Sequence, residues 1–203
     1  MPRSLIPQSL REPFPTRFRI AIIADLDKRS KRKDESNKDQ WHSKYMTGTL
    51  YRDSDKYRIE WDAPIDVTTS HNEAGRGCEL SELVKYNGAL YTFDDRTGIM
   101  FEISDFADSS ARGDHAPALA PRMIFSEGDG NTDKGFKIEW ATVKDGVMYV
   151  GSFGKEYTSN SGAILHANNL WVVQVTKDGR YSHVDWSPYY GKMRKELGYE
   201  HPG

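Results

Sequence analysis

The chain has 203 residues, 37% of them hydrophobic, which is enough for one globular domain with a packed core. Its 28 basic and 30 acidic side chains leave a formal net charge of −2, so no global field favours nucleic acid or a membrane surface. The single cysteine excludes an internal disulfide, and no run of about 18 apolar residues exists to form a membrane-spanning helix.

Residues 1–17 carry four of the nine prolines and read as an irregular lead-in, with no apolar segment and small-residue cleavage site of the signal-peptide kind. Residues 18–24, FRIAIIA, are apolar and β-branched, which predicts a buried strand ending at Asp25 and Asp27. Residues 28–40 are charged without apolar period and read as a solvated loop. Residues 41–50 and 56–61 suggest a pair of strands joined near Asp53-Ser54-Asp55, and the polar segment 65–74 reads as a loop.

The stretch 75–98, GRGCELSELVKYNGALYTFDDRTG, organises the chain. Two apolar runs flank Asn87-Gly88, a strong hairpin signal because both central residues must accept positive φ. Arg76, Glu79, Ser81 and Glu82 lead in, and Asp94-Asp95-Arg96 follows, so charged groups gather at the ends of a buried β element. Cys78 beside Glu79 reads as a small packed residue with a retained proton.

A strand is expected at 99–103, a surface loop at 104–121, then strands at 122–125 and 136–140 around the turn-rich SEGDGNTDKG. Asp145-Gly146 and Asp178-Gly179 mark two further hairpins in the format of the first, and residues 189–197 suggest a short helix before Gly198. Many short strands and three repeated hairpins, with no long amphipathic helix between them, predict an all-β fold of β-propeller blades. Blades of roughly 40–50 residues leave room here for three to four.

The candidate chemistry is oxygen-rich. Asp25, Asp27, Glu79, Ser81, Asp94, Asp95, Glu139 and Glu156 cluster at predicted strand ends, while histidines are scattered and the thiol is single, which disfavours zinc. Hard oxygen donors on separate strands suit Ca²⁺, although no EF-hand loop is present. Arg76, Arg96, Lys137 and Lys155 lie close in sequence to these acids. Acids with cations on one rim fit a phosphorylated substrate, or equally a set of salt bridges between blade ends.

The blocks FRIAIIADLDKRS, EAGRGCELSEL, NGALYTFDDRTG, SEGDGNTDKGFKIEW and MYVGSFGKEY occur in order over about residues 18–157. Together they resemble the soluble calcium-activated nucleotidase (apyrase) family. That resemblance implies a five-bladed β-propeller, residues 18–203 forming its domain here, that hydrolyses nucleoside di- and triphosphates with Ca²⁺ in the central channel. By it, Ser81 and Glu139 match calcium ligands, and Asp25, Asp94 and Asp95 are the candidate catalytic carboxylates. Arg76, Glu79, Arg96, Lys137 and Glu156 are candidate substrate-binding residues. Family members continue beyond the point where this sequence stops, with further ligands there, so an incomplete ring is expected. The resemblance also implies a possible homodimer and a secreted or ER/Golgi location. The rival reading is an inactive, truncated propeller that binds a nucleotide or a protein without turnover.

Overall fold

The computed structural model describes residues 16–104 and 117–199; the lead-in 1–15 and residues 105–116 of the expected surface loop lie outside them. Three four-stranded antiparallel sheets make up the fold. In the first, β1 (Arg17–Ala24) pairs along one edge of the long strand β2 (Trp41–Asp53). The other edge of β2 is shared by β3 (Lys56–Trp61) and β4 (Ile65–Thr69). The second sheet is a meander of β5 (Leu80–Tyr86), β6 (Ala89–Asp94), β7 (Ile99–Ile103) and β8 (Leu119–Ile124).

The third sheet runs β9 (Trp140–Lys144), β10 (Val147–Gly151), β13 (Trp171–Val175) and β14 (Tyr181–Asp185). A two-stranded ribbon, β11 (Tyr157–Thr158) with β12 (Ile164–His166), is inserted between β10 and β13. One helix, α1 (Ser187–Glu196), follows β14. It ends in a Schellman motif: Gly198 takes φ +75°, Tyr199 N–H donates to the Arg194 carbonyl at 2.9 Å, and Gly198 N–H donates to that of Lys195 at 3.2 Å. The fold is all-β apart from α1 and short 3₁₀ turns. Among the described residues no helix is long and apolar enough to cross a membrane, and no sheet closes on itself.

The middle sheet is buried on both faces, which explains why its strands read as nearly continuous apolar runs. Successive β7 residues point to opposite sides. Ile99, Phe101 and Ile103 join Trp41, Tyr45 and Val67 in the core against the first sheet. Met100 and, from β6, Phe93 join Met148, Val150, Val173 and Val175 in the core against the third. The first strands of the three sheets lie side by side, β1 against β5 and β5 against β9. Their ends are where the charged segments fall.

Two hairpins form as the sequence predicts. Asn87 and Gly88, with φ +48° and +86°, and Asp145 and Gly146, with +52° and +78°, make two-residue turns with both central residues left-handed. The third differs. Thr176 N–H donates to the Arg180 carbonyl and Gly179 N–H to that of Thr176, a three-residue loop with only Gly179 left-handed.

Other expectations are corrected. Residues 65–69 form strand β4 rather than loop, because Val67 is wholly buried against β2 while its polar neighbours stay partly exposed. Residues 119–121, expected within a loop, belong to β8; Pro121 is tolerated there because the β7–β8 register shifts beside it on an edge strand. Residues 136–139, expected as strand, join no ladder: Phe136 and Ile138 are buried in an extended connection that enters β9. Strand β1 is a half-exposed edge rather than a buried strand, with Ile22 45% exposed.

Candidate functional site

Four segments distant in sequence converge where the first strands begin or end. Asp25 follows the last residue of β1, residues 76–79 precede β5, Asp94 closes β6 with Asp95 just beyond, and residues 137–139 precede β9. Tight backbone contact holds the last two segments together. Phe125 N–H donates to the Gly98 carbonyl, Phe136 N–H donates to the Phe125 carbonyl, and a Cβ added at Gly98 would sit 2.3 Å from the Phe125 oxygen. Gly98 has φ +71°, so glycine is required there on both counts.

Asp25 is half-buried, and its Oδ1 accepts the Asp27 N–H at 2.5 Å, holding Asp27 in a left-handed conformation. Burial raises the Asp25 pKa, and the negative charges of Asp27 and Asp95 add to the rise against the Asp27 N–H and Arg76. Arg76 donates through Nε to Glu79 Oε1 at 2.7 Å and through Nη2 to Glu79 Oε2 at 2.5 Å. Its Nη2 also lies 3.3 Å from Asp27 Oδ1. Glu79 is 1% exposed, and this burial raises its pKa despite the arginine.

Asp94 and Asp95 are adjacent in sequence and differ in environment. Asp94 is wholly buried and accepts the Cys78 N–H at 2.9 Å and the Arg96 N–H at 3.0 Å, so it braces the turn that leads out of β6. Burial raises its pKa against those bonds and the Thr97 hydroxyl. Asp95 Oδ2 accepts from Lys137 Nζ at 2.6 Å, while its Oδ1 is buried without a partner among the described residues. The Lys137 ammonium also lies 2.6 Å from Glu139 Oε1. Although half-burial disfavours its charge, the hydrogen bonds it donates to Asp95 and Glu139 outweigh that and raise its pKa.

The structure thus brings Asp25, Arg76, Glu79, Asp95, Lys137 and Glu139 into one cluster, with Asp94 beneath it. Asp27, noted in the sequence only as an acid at a strand end, joins them. Ser81 is exposed on β5, whose neighbour β9 begins just after Glu139. A hydroxyl and a carboxylate there are donors of the hard type that Ca²⁺ takes. Asp25, Asp27 and Glu79 also place oxygens within 4.8 Å of one another, but both Glu79 oxygens are held by Arg76, so that group is an ion-pair cluster rather than an open cation site.

Two expected substrate residues stand apart. Glu156 pairs with Arg194 of α1, at 3.0 and 3.4 Å, both side chains less than one-fifth exposed. Arg96 donates to Glu73 Oε2 at 2.9 Å, and Lys134 reaches the other Glu73 oxygen at 3.2 Å. Sequence reading gave Glu73 no role; its partners lie 23 and 61 residues away, and no local spacing announces them.

Comparison with known proteins identifies the family. The apyrase family profile matches residues 26–203. The chain is 40% identical over 198 residues to an apyrase of Cimex lectularius, covering 96% of this chain and 51% of that protein. It is 41% identical over 196 residues to soluble calcium-activated nucleotidase 1 of Rattus norvegicus, covering 95% of this chain and 45% of that one. An apyrase of Phlebotomus duboscqi is 36% identical over 183 residues, 90% of this chain and 51% of that protein. The chain therefore spans about half the length of the curated relatives it matches. With the family profile covering most of its length, the chain belongs to the apyrase family.

Proposed function

We propose that this chain takes part in the Ca²⁺-dependent hydrolysis of nucleoside di- and triphosphates of the UDP, GDP and ADP type, releasing phosphate. The observation that carries the reading is the charge balance of the cluster. Asp25, Asp27, Glu79, Asp95 and Glu139 outnumber Arg76 and Lys137; all but Asp25 touch one of the two cations, and Asp25 feels the charges of Asp27, Asp95 and Arg76. Like charges about 4 Å apart repel by about 1 kcal/mol in water and about 4 kcal/mol near a protein surface. A phosphate chain entering alone meets that repulsion; entering with a divalent cation it does not. The rat relative's name, a calcium-activated nucleotidase, agrees.

In this reading Ser81 and Glu139 hold the cation, which supplies Lewis-acid charge to the phosphate oxygens. Arg76 and Lys137 bind the phosphate chain. Asp95 Oδ1, buried and without a partner among the described residues, accepts a hydrogen bond from the attacking water and orients it. Asp25, whose raised pKa makes it a stronger base than an ordinary carboxylate, takes the proton as the water oxygen bonds to the terminal phosphorus. The bond from that phosphorus to its bridging oxygen breaks, leaving phosphate and a nucleotide shortened by one phosphoryl group. Asp94 holds the turn.

The three sheets are the blades of a propeller in this proposal, with β1, β5 and β9 lining its channel; their side-by-side placement and the two-faced burial of the middle sheet support it. A domain over residues 18–203, a homodimer and a secretory location belong to the proposal by resemblance alone.

Phosphate release from UDP, GDP and ADP, with Ca²⁺, with Mg²⁺ and with chelator, tests it. The expected result is turnover that needs Ca²⁺ and falls by about a hundredfold or more in Asp95→Asn. Equal turnover in chelator contradicts the calcium role. A folded chain that binds nucleotide without releasing phosphate supports the rival, a binding module.

A further inference from the structure

The way Glu79 holds Arg76 determines which part of the guanidinium remains available. Glu79 engages Nε and Nη2 with its two oxygens, a side-on bidentate grip that fixes the plane of the guanidinium. Asp27 adds a longer contact to the same Nη2. Nη1, with two N–H groups, has no partner among the described residues, and the Arg76 side chain remains one-third exposed beside Asp25 and Asp95. Glu79 itself is 1% exposed with both oxygens engaged by Arg76, so it has no access to a ligand.

We propose that Glu79 is a positioning residue, one that never touches substrate but aims Nη1 of Arg76 at a phosphate oxygen of the nucleotide. This rests on the phosphohydrolase reading and replaces the expectation that Glu79 binds substrate directly. The geometry suits the task. A free arginine samples many rotamers, and a fork already fixed in plane loses less freedom when it meets an anion. The three-residue spacing from Arg76 to Glu79, just ahead of β5, puts both residues on one rigid connection.

The test compares the chain with Glu79→Gln, Arg76→Lys, and the double variant Arg76→Lys/Glu79→Gln, measuring KM and kcat for a nucleoside diphosphate in Ca²⁺ and thermal unfolding for each. Gln keeps one acceptor and the side-chain length but loses the charge-assisted, two-point grip. The expected result is a KM about tenfold higher in Glu79→Gln with kcat within about twofold. Arg76→Lys raises KM as well, and adding Glu79→Gln to it raises KM no further. An unchanged KM in a folded Glu79→Gln overturns the inference while leaving the phosphohydrolase reading intact. So does a rise that persists undiminished on the Arg76→Lys background, because Glu79 then acts without the arginine. Absence of turnover and of nucleotide binding in the unsubstituted, folded chain overturns both. If Glu79→Gln does not fold, Glu79→Asp, which keeps the charge and shortens the reach, takes its place with the same expected rise in KM.

Discussion

Cys78 and Asp94 show how a single residue's surroundings decide its chemistry. The thiol is wholly buried against the Val67 carbonyl, and burial pushes its pKa up to about 12. At pH 8 only about one thiol in ten thousand is then ionised, and the thiolate is the reactive species. The native chain is therefore expected to resist a thiol reagent at pH 8, whereas in denaturant one thiol per chain reacts at the rate of free cysteine. Reaction of the native chain at that free rate contradicts the burial. The inert thiol was legible in the sequence, because a lone cysteine beside a glutamate tends to keep its proton and to pack as a small residue. The difference between Asp94 and Asp95 was not. Two neighbouring carboxylates look alike in a string of letters. Only the fold shows that one accepts backbone N–H groups in the core while the other turns an oxygen toward Lys137.

Among the elements, hairpins were the most legible, since Asn-Gly and Asp-Gly carry their own backbone requirement. β4 was missed because four of its five residues are only partly buried and one valine carries its packing. The pairing of Glu156 was not legible for a different reason: its sequence block resembles the family, but its partner Arg194 lies 38 residues on, in α1. That pair ties the connection after β10 to the helix. Glu156→Gln is expected to lower stability by about 1–3 kcal/mol, the usual effect of weakening a partly buried charged hydrogen bond, and to leave KM for nucleotide within about twofold. Urea unfolding alongside steady-state kinetics checks this. A raised KM at unchanged stability would return Glu156 to the substrate site.

At the scale of the molecule, the sequence announced an all-β chain of repeated hairpins but not how the sheets share their cores. The middle sheet packs on both neighbours, and its first strand lies between the first strands of the other two. That arrangement alone brings Asp25, Arg76, Asp95 and Lys137 together from separate segments. Their types could be read from the sequence, whereas their ion pairs needed the fold. The resulting excess of carboxylate over cation is the basis for expecting that anionic substrate binds only with a divalent cation. The most direct measurement is calorimetric titration of the folded chain with a non-hydrolysable nucleoside diphosphate, once in Ca²⁺ and once in chelator. The account predicts binding at least about tenfold tighter in Ca²⁺, the effect of relieving one repulsion of about 1.4 kcal/mol. Equal affinity in both conditions would contradict it.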